Sequence, residues 1–163
     1  MRVPARCLSL LILALAACTS ACGPTVDLRT GLKLDIVSTG WLDVGLVDGK
    51  TKLVPSVSFT IKNMSDQTLV ALQVNAVFRR NAEKEEWGSG LLMVAGSQGL
   101  APGATTPVLT IKSALGYTGT ESRAEMLQNT EFVDANVRLF GKYGSAQWVP
   151  VAETPITRAL ATP

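Results

Sequence analysis

The chain of 163 residues has no histidine, and its three cysteines, Cys7, Cys18 and Cys22, all fall near its start. A Ser-His-Asp or Cys-His catalytic set cannot be assembled from such a chain, nor can a zinc site of histidine and cysteine ligands. No catalytic residue, metal ligand or cofactor-binding motif is assigned. Basic clusters are equally scarce. Arg79-Arg80 is the only adjacent basic pair, and no stripe of lysines and aromatics follows it, so nucleic acid is not an expected partner. Internal repeats and low-complexity segments are absent. Apolar runs long enough to span a bilayer are absent too, and the one sustained run is short.

That run is Cys7 to Ala17, CLSLLILALAA, preceded by Arg2 and Arg6, the only charges before Asp27. A helix of eleven residues rises about 17 Å, against a hydrocarbon core of about 30 Å. A basic start, a short apolar centre and small residues after it describe a secretory signal peptide.

Leu15-Ala16-Ala17-Cys18 resembles the lipobox of bacterial lipoproteins. The resemblance implies cleavage before Cys18, acylation of that cysteine and anchoring in a membrane through the lipid. A second match, Thr19-Ser20-Ala21-Cys22, lacks the usual aliphatic residue. The plainer alternative is a secreted chain with a Cys18–Cys22 disulfide, since exported thiols tend to pair. Such a bridge would close a tiny loop and tie down nothing in the body. One acyl chain holds a protein only marginally, at about 0.8 kcal/mol per buried methylene, whereas the several chains the family carries would hold it durably. Thr19, in place of Asp, implies by the same resemblance the outer membrane of a Gram-negative cell, with the body facing the periplasm. The expected organisation is a signal peptide over 1–17, an acylated tether over 18–31 and a folded domain over 32–163.

Removing residues 1–17 leaves 146 residues carrying 13 basic and 13 acidic side chains, hence no net charge. That length supports one domain with a substantial core. Its hydrophobic period is two. Val57, Phe59 and Ile61 alternate with Ser56, Ser58, Thr60 and Lys62, and Leu72, Val74, Ala76 and Phe78 alternate with Ala71, Gln73, Asn75, Val77 and Arg79. Both patterns describe half-buried strands. Leu69 is out of phase with the second set, which places a bulge near Val70. Further strands are expected at Leu34–Val37 and Asp43–Val47 on either side of Gly40, at Gly90–Ala95, at Val108–Lys112, through Val133, Ala135, Val137 and Leu139, and at Gln147–Val151. Turns are expected at Asp48-Gly49, Asn63–Gln67, Leu100–Gly103 and Gly144-Ser145. Only Glu121–Gln128 reads as a helix, opened by a capping box from Ser122 to Glu125. Seven or eight short strands at this spacing predict an all-β fold, an immunoglobulin-like antiparallel β-sandwich with one short helix. The stretch from about 54 to 113, with Asn63-x-Ser65 and Leu100-x-Pro102-Gly103 between strands, resembles the FxLYD-type sandwich domains of bacterial envelope proteins. Ala76, Phe78, Arg79 and Arg80 stand in place of the motif that names them.

What remains for chemistry is carboxylate or Ser-Lys sites, and the carboxylates offer the visible groupings. Glu131 and Asp134 lie at a strand entrance, and Glu83, Glu85 and Glu86 crowd a loop with Lys84; both sets read as solvated loop residues. Asp43 and Asp48 lack the alternating ligand rhythm of a calcium loop, and Asn63-Met64-Ser65, though a glycosylation sequon, reads as a turn. Trp41, Trp87 and Trp148 lie beside turn residues, and Tyr117 sits in a glycine-bounded loop. Exposed aromatics on loops suit recognition, while buried tryptophan edges belong to a core. These four are the candidate recognition residues. The chain is thus expected to be a non-enzymatic envelope lipoprotein that serves as a protein-interaction or assembly module. The alternative is a lipid- or sugar-binding accessory of an envelope transport system.

Overall fold

The computed structural model describes residues 26–162; the expected signal peptide, Cys18 and Cys22 lie outside the described residues. Two antiparallel sheets pack face to face. Sheet I contains β1 (Leu32–Val47), β2 (Lys50–Asn63), β5 (Leu109–Lys112) and β6 (Tyr117–Gly119), with β2 paired to the other three. Sheet II has the order β4 (Gly88–Ala95), β3 (Leu72–Arg80), β7 (Ala135–Tyr143) and β8 (Val149–Pro155). The all-β sandwich is therefore as the alternation predicts. No helix among the described residues is long and apolar enough to cross a membrane.

The core comes from the strands with the cleanest alternation. Val57, Phe59 and Ile61 of β2, Leu72, Val74, Ala76 and Phe78 of β3, and Val137 and Leu139 of β7 are wholly buried. Each such aliphatic or phenyl side chain contributes about 1.5–3 kcal/mol on burial. Asp48 and Gly49 both have positive φ, 52° and 75°, and join Val47 to its partner Lys50. That is a type I′ turn, whose twist suits a two-residue hairpin.

Asn63 is fully buried and closes the next turn. Its Nδ2 donates to Gln67 O and Leu100 O, both at 2.8 Å, while its Oδ1 accepts from Ser65 N and Oγ. The sequon is a structural turn with no amide left over for modification.

Several details differ from the sequence reading. The folded body starts earlier than residue 32: a short helix, α1 (Leu28–Gly31), is capped by Asp27 and buries Leu28 in the core. Gly40 does not divide two strands but lies inside the single strand β1, which pairs with β2 through it, Gly40 opposite Ser56, while the C-terminal segment adds to its other edge there. Trp41 N donates to Ala159 O at 2.8 Å, and Ala161 N to Trp41 O at 2.9 Å. Near Val70 the phase break comes from Ala71 in the left-handed region, φ 51°, between an isolated Leu69–Leu100 bridge and β3. Val133 precedes β7 and is exposed, outside its apolar face. The β7–β8 connection is also wider than a tight hairpin, with Trp148 on the loop. The second helix, α2 (Arg123–Gln128), does carry the capping box, with Ser122 N donating to Glu125 Oε2 at 2.9 Å.

Candidate functional site

Strand direction gives the sandwich two unlike ends. At one end lie α1, the start of β1 and the end of β7, where Leu28 reaches Gly141; the chain enters there from residue 26. β1 then runs its full length to the hairpin turn at Asp48-Gly49. Fifteen strand steps of about 3.3 Å put that turn roughly 50 Å from the point of entry.

The far end holds three of the four candidate aromatics. Trp41 (β1), Trp87 (before β4), Tyr117 (β6) and Phe132 (before β7) form one cluster. Trp41 meets Phe132 edge to face with centroids 4.5 Å apart, and Tyr117 lies 4.6 Å from Phe132 and 5.1 Å from Trp87. Phe132 had no distinguishing signal in the sequence, because its partners come from three distant segments. Trp41 is 0% exposed, which corrects its candidacy for direct recognition: it has no surface to offer and fills the core. Trp87 and Tyr117 are half-buried. Trp148 is 38% exposed and stands apart at the opposite end, with Lys142 Nζ 5.7 Å above its ring.

Two arginines cover the rim of the cluster. Arg80 lies 5.5 Å over Trp87 and pairs with Glu83 at 2.9 Å. Arg158 lies 5.2 Å over Phe132, pairs with Asp134 at 2.6 Å and donates to Phe132 O at 2.8 Å. The Asp134 hydrogen bond holds the Arg158 guanidinium above its ordinary pKa against the opposing effect of burial. These contacts occupy Asp134 and Glu83 as structural ion pairs, and Asp43 likewise pairs with Arg123. Among the described residues no group of three or more metal-ligating side chains converges.

Beside the cluster is an open pocket of about 300 Å³ lined by Tyr117, Thr118, Gly119, Glu121, Met126, Asn129, Glu131 and Phe132. The hairpin tip flanks the same end. Residues 44–50 are all exposed, including Val44, Leu46 and Val47. Its base is braced by Asp43, which accepts from Gly45 N at 2.8 Å where β1 bulges.

No family model and no curated protein matches the chain. Among solved structures, the X-ray structure of the Northeast Structural Genomics Consortium target SoR45 is similar at 15% identity and a TM-score of 0.45, covering 84% of this chain and 91% of that one.

Proposed function

We propose that the protein is a non-catalytic cell-envelope lipoprotein, anchored through acylated Cys18, that presents the far end of its sandwich to a protein partner. The observation that carries this reading is the hairpin tip. Leu46 is 74% exposed, with Val44 and Val47 beside it, on a rigid I′ hairpin pointing away from the tether. An apolar finger set on a fixed strand pair loses little entropy on docking. Its distance from the anchored end would hold it clear of the membrane.

The accessory-protein alternative draws support from the pocket beside Tyr117 and Phe132. Its volume is at the lower limit for a small-molecule site, and its wall is mainly apolar, with Glu121, Asn129 and Glu131 as its polar groups.

A photo-cross-linking residue at Leu46, in cells making the acylated protein, tests the docking reading. One discrete adduct is expected, lost on adding Val47→Asp and absent when the probe stands at Glu85. Adducts of equal yield from both positions would overturn it. Mass spectrometry of the mature N-terminus tests the anchor, which requires acylated Cys18; an unmodified terminus at Thr19, Cys22 or Gly23 would refute it.

A further inference from the structure

We infer that the outer face of sheet II, at the end where the tether enters, is a docking surface for an anionic phospholipid leaflet. The inference rests on the lipid-anchor reading above. Alternation decides what this face carries. With Leu139 buried, Arg138, Phe140 and Lys142 of β7 point outward, and the register of β3 and β4 sets Leu91 and Met93 on the same side. Leu91 is 65% and Met93 52% exposed. Trp148 joins them through Lys142, and Arg138 lies 5.5 Å over the Phe140 ring.

Outward charge at this end is basic in balance although the mature chain is neutral. From mid-strand to the tether end the outward cations are Arg138 and Lys142, and the carboxylate that the β7–β8 register sets beside them is Glu153, 3.6 Å from Arg138. Lys142 is in no ion pair among the described residues. Apolar side chains flanked by cations, with a tryptophan at the margin, suit the headgroup level of a bilayer, where indole rings concentrate and lysine stems reach toward phosphates.

Placement selects a membrane over other anionic surfaces. Gly141, next to Lys142, pairs with Val149, next to Trp148, and a Cβ at Gly141 would lie 3.2 Å from Leu28 Cδ1 at the tether's entry. From Cys18 to Val26 the chain can span at most about 29 Å. An acylated Cys18 would therefore keep this end of sheet II within reach of the leaflet. The hairpin tip, at the opposite end, would remain free for its partner.

The test uses the acylated full chain reconstituted into vesicles of brominated phosphatidylglycerol or brominated phosphatidylcholine, reading tryptophan emission. Trp41 is buried and Trp87 half-buried, so Trp148→Phe isolates the signal of Trp148. The expected result is quenching of Trp148 in the anionic vesicles, relieved by high salt and lost in Lys142→Glu. Each basic side chain at such a surface strengthens contact by about fivefold, so Arg138→Glu should add to the loss. Vesicle-retained protein whose Trp148 is unquenched would overturn the inference and leave the anchor standing, pointing to a protein or polysaccharide on this face. Quenching equal in both lipids would overturn the anionic specificity. Protein not retained by either vesicle would overturn the anchor and this inference with it.

Discussion

Trp41 and Phe132 meet edge to face with their ring centroids 4.5 Å apart, closing the far end of the core between β1 of one sheet and the approach to β7 of the other. Rings in this arrangement contribute about 0.5–1.5 kcal/mol beyond their burial.

Removing the indole leaves a void that Tyr117 and Trp87 cannot both fill. Trp41→Ala should destabilise by about 3–5 kcal/mol, while Trp148→Ala, on an exposed loop, should change stability by less than about 0.5 kcal/mol. Denaturant midpoints at unchanged slope measure both. Similar losses from the two would mean that the cluster does not organise the core.

Phe59 and Asn63 test two kinds of burial on one strand. Phe59→Ala should cost about 3–5 kcal/mol through lost packing. Asn63→Ala removes the acceptor of Ser65 N and the amide bonds to Gln67 O and Leu100 O, at about 1–3 kcal/mol for part-buried groups left short of a partner. A Phe59→Ala loss under about 1 kcal/mol would contradict the observed facing of β2.

The C-terminal segment depends on the missing side chain at Gly40. A Cβ there would lie 2.9 Å from Ala159 O and 3.1 Å from Ala161 Cβ, in a segment also held by Thr157 N donating to Thr39 Oγ1 at 3.0 Å. Overpacking costs about 1–3 kcal/mol, so Gly40→Ala should free the segment and speed tryptic cleavage after Arg158 about fivefold or more. Unchanged cleavage would show that the segment's hold does not depend on this close approach.

Acid should loosen α2 first at its cap. Hydrogen bonds from the Ser122 side chain and backbone hold the Glu125 carboxyl below its ordinary value of 4.5. A carboxylate with a depressed folded pKa contributes stability that is complete above the unfolded value and disappears as pH falls through the folded one. Amide exchange in residues 123–128 should therefore gain protection between acid and about pH 5, and Glu125→Gln should remove most of that dependence. Equal pH dependence in both proteins would exclude the cap as its source.

The sequence by itself determined the sheets. Alternation in Val57–Ile61, in Leu72–Phe78 with Val77 as its one exception, and in Ala135–Leu139 favoured one facing for each strand, because slipping by one residue would turn most of the apolar side chains to water. Local chemistry likewise settled the Asp48-Gly49 turn, the Asn63 turn and the Ser122 cap, each made within a few residues. Only the tertiary structure decided which aromatics are buried. Trp41, Trp87 and Trp148 all stand near turn residues, yet Trp41 is enclosed by Phe132 and Tyr117 while Trp148 lies in the open under Lys142. That choice is made by partners far along the chain, and so are the addition of the C-terminal segment at Gly40 and the gathering of Arg138, Lys142 and Trp148 on one face. Side chains brought together by the pairing of distant strands share no local signal, so their company is fixed by the closed sandwich alone.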